Sequence, residues 1–67
     1  MIIKNSIREY RKKEDITQAE LAKELDVSRQ TVNAIETEKY DPSLELTLKI
    51  VDFFGVEVEE LFELRER

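Results

Sequence analysis

Thr17 and Ser28, both of a type that opens helices, stand so close together that the segment between them has room for one short helix and a tight turn. Thr17-Gln18-Ala19-Glu20 has the form of a capping box, in which the threonine hydroxyl accepts from a free amide while the glutamate side chain reaches back to the amide of the cap. Leu21, Ala22 and Leu25 follow at helical spacing, which predicts a helix over residues 18–25. Only Asp26 and Val27 separate it from Ser28, a second N-cap, which opens a helix from 29 to 36 or 37 with Val32 and Ile35 turned inward.

The remaining segments are punctuated in the same way. A first helix starts at Asn5 or Ser6 and runs to about residue 14, with Ile7 and Tyr10 on its apolar face and Arg8, Arg11, Lys12 and Lys13 over much of the rest. Pro42 cannot sit in a helix interior, Ser43 caps a fourth helix from 44 to about 54, and Gly55 ends it. A last helix covers roughly 58–62. Beyond it Phe62 and Leu64 alternate with Glu63 and Arg65, which suits a short strand as well as a frayed helix, and Ile2-Ile3 is the other β-branched pair. A lone strand would leave its donors unpaired, so the chain ends either pair as a minimal ribbon or stay disordered.

Composition narrows the classes of function. The 67 residues are expected to form a single domain, and a chain of this length buries only about 60 % of the surface that its unfolded form exposes. Without cysteine or histidine it has no disulfide and none of the usual zinc sites, so stability must come from packed helices or a second subunit. Ser6, Ser28 and Ser43 lack an obvious base and read as caps, not nucleophiles, and there is no glycine-rich phosphate loop. Glu57, Glu59, Glu60 and Glu63 lack the spacing of a calcium loop and read as a solvated face, so no metal and no cofactor are expected. Met1-Ile2-Ile3-Lys4 is too short for a signal peptide and no apolar run approaches the roughly 18 residues of a membrane span, which places the chain in the cytoplasm by default. The net charge of −5 argues against a nucleic-acid partner until its distribution is read. Residues 1–40 carry eight basic and eight acidic side chains, residues 41–67 three basic and eight acidic, so the whole excess lies in the C-terminal part.

Two short helices joined by three or four residues form the unit that places its second helix in the major groove of DNA. Thr17-Gln18-Ala19-Glu20-Leu21-Ala22, Val27-Ser28-Arg29-Gln30-Thr31-Val32, Ile35-Glu36 and Tyr40-Asp41-Pro42-Ser43-Leu44, followed by Gly55-Val56 and Glu60-Leu61-Phe62, resemble the Cro/repressor family of helix-turn-helix regulators in order and spacing. The resemblance implies an all-α fold of five helices, here with a possible terminal two-stranded β ribbon, whose helix-turn-helix spans about 17–37. Helix three would enter the groove and helix two would lie across the backbone. On a helical wheel Gln30, Asn33, Ala34 and Thr37 fall opposite Val32 and Ile35. By geometry alone that face is equally the solvated side of a short helix. The resemblance makes Arg29, Gln30 and Asn33 base-reading residues, with Ala34 allowing close approach or touching a thymine methyl. It implies that Thr17, Gln18, Ser28 and Thr31 hold phosphates at the two helix starts, with Lys39 and Tyr40 adding contacts from the following turn.

The resemblance also sets Arg11 beside Glu36 as a structural ion pair; the alternative is that both reach solvent. The sequence departs from the family's common pattern at Asp26, where a glycine in a left-handed conformation is frequent, at Thr37-Glu38, where asparagine and glycine are frequent, and at Ala34, which removes a side chain able to read a base. Glu38 beside DNA would repel phosphate. Helix four carries two apolar stripes, one of Leu44, Leu48 and Val51 and one of Leu46, Ile50 and Phe53. The first is assigned to the core with Ile7, Phe54, Val56 and Leu61. The second, Leu46, Ile50 and Phe53, is assigned with helix five to a two-fold dimer interface; the alternative is one broad core stripe. The function expected is a repressor that binds double-stranded DNA as a homodimer on a palindromic operator, with no membrane and no small-molecule ligand. The rival is a protein-interaction module of the same fold, antitoxin-like or coactivator-like, its second stripe serving as the partner site.

Overall fold

The computed structural model describes residues 2–66, so Met1 of the N-terminal run lies outside it. The elements in order are β1 (Ile2–Asn5), α1 (Ile7–Lys13), α2 (Gln18–Leu25), α3 (Arg29–Glu36), α4 (Leu44–Phe54), α5 (Val58–Leu61) and β2 (Phe62–Arg65). No helix is long and apolar enough to cross a membrane among the described residues.

The fold is therefore not strictly all-α. β1 and β2 pair antiparallel, with Ile3 opposite Leu64 and Asn5 opposite Phe62. The ladder runs on into the first helix, where the Ser6 amide donates to the Leu61 carbonyl at 2.9 Å. Pairing satisfies backbone donors that each end alone would leave open. At the start of α1 the Asn5 side chain does the capping: its Oδ1 accepts from the Ile7 amide at 3.2 Å.

The three expected caps appear where their side chains predict. Thr17, Ser28 and Ser43 each accept from the backbone amide three residues on, and Glu20 closes the box by accepting from the Thr17 amide at 2.8 Å. Asp26 ends α2 in the left-handed region, φ 59°, a conformation that favours glycine and that aspartate tolerates. Gly55 does the same for α4 at φ 67°.

The core gathers Ile7, Leu21, Ala22, Leu25, Val32, Ile35, Leu46, Ile50, Val51 and Leu61, with Tyr10, Phe54, Val56 and Phe62 packed against it. This corrects the assignment of the stripes on α4. Leu46 and Ile50 are 7 % and 1 % exposed and belong to the core, so neither is available to a dimer interface. Leu44 and Leu48, expected inside, stand 76 % and 53 % exposed. Both flanks of this helix are apolar, so hydrophobicity does not fix its rotation about its own axis; Phe54 is one residue that packs it against the rest of the core. Its ring meets Tyr10 of α1 edge-on at 5.8 Å; on the wheel Ile50 lies ~40° from it and Leu48 ~120°, while Leu46 and Leu44 lie ~80° to either side, Leu44 being the first residue of the helix. Phe53, the third residue of the reassigned stripe, sits 38 % exposed at the edge of the buried face, its ring edge-to-face with Phe54 at 5.1 Å.

Candidate nucleic-acid interface

α3 is amphipathic, and its two faces do different things. Val32 and Ile35 are each 2 % exposed and fasten it to the core, chiefly against α2. On the opposite side Arg29, Gln30 and Asn33 are exposed, and Ala34 is half-buried beside them. Ser28 caps this helix and also bonds the Thr31 hydroxyl, oxygen to oxygen at 2.9 Å, which holds both side chains at the helix start.

The turn after Asp26 brings the start of α2 alongside the same face. Gln18, Arg29, Gln30 and Asn33 line one shallow surface concavity, and Arg29 and Gln18 continue into a neighbouring one with Arg11, Lys12 and Thr17. Gln18 is tied across the motif: its Nε2 donates to Asn33 Oδ1 at 3.2 Å and to Glu36 Oε1 at 3.0 Å. No spacing rule in the sequence announces this link, since the partners lie 15 and 18 residues away.

Beneath it, Arg11 grips Glu36 with two hydrogen bonds, Nε to Oε2 at 2.7 Å and Nη2 to Oε1 at 3.1 Å. The side chains are 11 % and 2 % exposed, so the alternative in which both reach solvent does not describe this structure. A third donor, Arg11 Nη1, bonds the Ile16 carbonyl at 3.0 Å and so ties α1 to the segment leading into α2. The hydrogen bond to Glu36 and its negative charge raise the Arg11 pKa above its ordinary value, against the opposing effect of burial. At the surface, Glu20 is shifted the other way: the Thr17 amide, and then the Thr17 hydroxyl, hold its carboxyl below the ordinary carboxylate value.

Lys39 and Tyr40 are exposed in the loop between α3 and α4. The loop is anchored by the Lys39 amide donating to the Ala34 carbonyl at 2.9 Å. Glu38, expected to repel phosphate, is engaged by β1. It adopts φ 64°, its Oε1 lies 3.3 Å from Lys4 Nζ, and its Oε2 accepts from the Asn5 amide at 3.3 Å. Asn5 Nδ2 donates in turn to the Ile35 carbonyl at 2.8 Å, so β1 braces the C-terminal end of α3. Sequence reasoning missed this role of Asn5 because it depends on where the ribbon lies over the helices.

Residues 7–61 match the helix-turn-helix family. The chain is 55 % identical over 60 residues to an uncharacterized HTH-type transcriptional regulator of Methanocaldococcus jannaschii, covering 90 % of this chain and 91 % of the relative. It is 42 % identical over 64 residues to the uncharacterized HTH-type transcriptional regulator YgzD of Bacillus subtilis, covering 96 % and 97 %. A crystal structure of a Bacteroides fragilis protein superposes with a TM-score of 0.81 at 22 % identity, over 92 % of this chain and all of that one, which is a likeness of fold. On the capped pair α2 and α3 and on this match along most of its length, the chain belongs to the Cro/repressor-type helix-turn-helix family.

Proposed function

We propose that this chain is a sequence-specific double-stranded DNA-binding transcriptional regulator, a cytoplasmic repressor that reads a palindromic operator through the major groove as a homodimer. The observation that carries the reading is the division of α3. One side is sealed into the core, while the other offers Arg29, Gln30 and Asn33 to solvent next to the start of α2. The guanidinium fork of Arg29 suits guanine O6 and N7, the carboxamide of Gln30 suits a base edge that mixes donor and acceptor, Asn33 offers its amide hydrogens to a base edge, and Ala34 lets the helix come close. Thr17, Gln18, Ser28 and Thr31 then meet phosphates at the two helix starts, and Lys39 and Tyr40 add contacts from the loop.

The dimer contact in this reading lies on the outer stripe of α4. Leu44 and Leu48 are one turn apart and exposed, and Tyr40, 49 % exposed, precedes them. Two copies joined there on a two-fold axis would read half-sites about one turn, ~34 Å, apart. The acidic excess of residues 41–67 would lie away from the phosphates. The same exposed stripe also suits the interaction-module reading, in which it receives a different protein.

Selection of bound duplexes from a random pool, followed by titration of the enriched sequence at several salt concentrations, tests the proposal. A palindrome bound with an affinity that falls steeply with salt is the expected result. No enrichment and no dependence on salt would move the chain to the interaction-module reading.

A further inference from the structure

Glu36 lies under α3 with its side chain 2 % exposed, yet a hydrogen-bond chain leads from it to the exposed face. A carboxylate only accepts. Its Oε1 takes Arg11 Nη2 at 3.1 Å and Gln18 Nε2 at 3.0 Å. The Gln18 carboxamide cannot be turned round here, because its oxygen would then face a charged acceptor. Its nitrogen is therefore committed to Glu36, and the second hydrogen on that nitrogen goes to Asn33 Oδ1 at 3.2 Å. Asn33 in consequence holds its oxygen toward α2 and is left with its Nδ2 hydrogens to offer.

We infer that Glu36 sets the base preference of Asn33 through Gln18: the chain from Arg11 to Glu36, Gln18 and Asn33 runs in one direction and makes Asn33 a donor toward the groove. Such a donor matches purine N7, guanine O6 or thymine O4 and disfavours cytosine, which presents its N4 amino donor there. Glu36 and Gln18 are positioning residues in this scheme. The inference rests on reading α3 as the groove helix. Glutamine at position 36 would break the direction. Its oxygen would serve Arg11, its nitrogen would face Gln18, and the Gln18 oxygen would turn inward, so Asn33 would keep its bond only by donating its own nitrogen and would then present its oxygen, an acceptor, to the groove.

The experiment is selection from a random duplex pool with the full chain, its Glu36→Gln and Gln18→Met variants, and Asn33→Ala to mark the half-site position concerned. Gln18→Met leaves the Arg11–Glu36 pair in place and so carries the test even if Glu36→Gln fails to fold. Expected is loss of discrimination against cytosine, by about tenfold, at the one position that Asn33→Ala also relaxes, with preferences elsewhere in the half-site kept. Glu36→Gln should bind random duplex as the parent does, since Glu36 is buried away from phosphate. If the parent selects a defined site and Gln18→Met selects the same site with the same stringency, the inference is overturned and groove reading stands. If the parent enriches no sequence, groove reading falls and this inference with it.

Discussion

Arg11 and Glu36, on the first and third helices, share two hydrogen bonds while burying all but 11 % and 2 % of their side chains. Replacing such a pair with apolar groups costs little, but removing one partner strands the other charge in the interior. Arg11→Ala should therefore destabilise the fold by about 3–5 kcal/mol, read as a lower midpoint of urea unfolding. An unchanged midpoint would mean that the pair does not form in solution.

The capping box at the start of α2 should respond to acid. Glu20 is held below its ordinary value of 4.5 by the Thr17 amide and hydroxyl. A lowered pKa in the folded state means that the ionised carboxylate stabilises the fold above pH 4.5, and that this contribution fades as pH falls through the lower folded value. A carbon-detected NMR titration should give Glu20 a midpoint below the ordinary 4.5. Thr17→Ala, which removes the hydroxyl and keeps the backbone amide, should reduce that lowering without abolishing it and cost about 1 kcal/mol of stability.

The two stripes of α4 separate in a pair of substitutions. Ile50→Ala opens a cavity in the core and should cost about 2–5 kcal/mol. Leu44→Lys with Leu48→Lys should leave the unfolding midpoint of the monomer close to that of the parent, because both side chains already face solvent. If the proposed dimer forms through this stripe, the parent should sediment as a dimer and the same double variant as a monomer at equal concentration; a parent that sediments as a monomer would contradict the dimer.

Asp26 holds φ 59° at the centre of the helix-turn-helix, where a side chain carries a steric cost that glycine avoids. Asp26→Gly should accordingly raise stability by about 0.5–1 kcal/mol in chemical denaturation. A loss of stability would show that the aspartate side chain makes a contact of greater worth.

The parts of this fold that depend on neighbouring residues were legible in the sequence, and those that depend on packing between distant elements were not. Thr17, Ser28, Ser43 and Gly55 each fix a helix end through a bond to residues a few positions away, and α2, α3 and α4 begin and end where those residues predict. The alternation of Phe62 and Leu64 left a ribbon and disordered ends both open; the ribbon forms, with Ile3 against Leu64. The rotation of α4 was not legible, because Leu44 and Leu48 are as apolar as Leu46 and Ile50, and which of them is buried depends on how the helix packs against distant elements. Within the candidate site, the outward placement of Gln30 and Asn33 followed from helical period, while Arg29 and the base-reading role came only with the family resemblance. The tie from Gln18 to Asn33 and Glu36, and the brace from Asn5 to Ile35, arise only when separate elements are brought together.

The most direct test of the central claim is the affinity of an Arg29→Ala variant for the selected duplex and for random duplex at one salt concentration. If α3 reads bases, the selected site should weaken by about 1–3 kcal/mol while random duplex is barely affected. Equal losses on both would make Arg29 a phosphate contact and contradict the account of α3 as the reading helix.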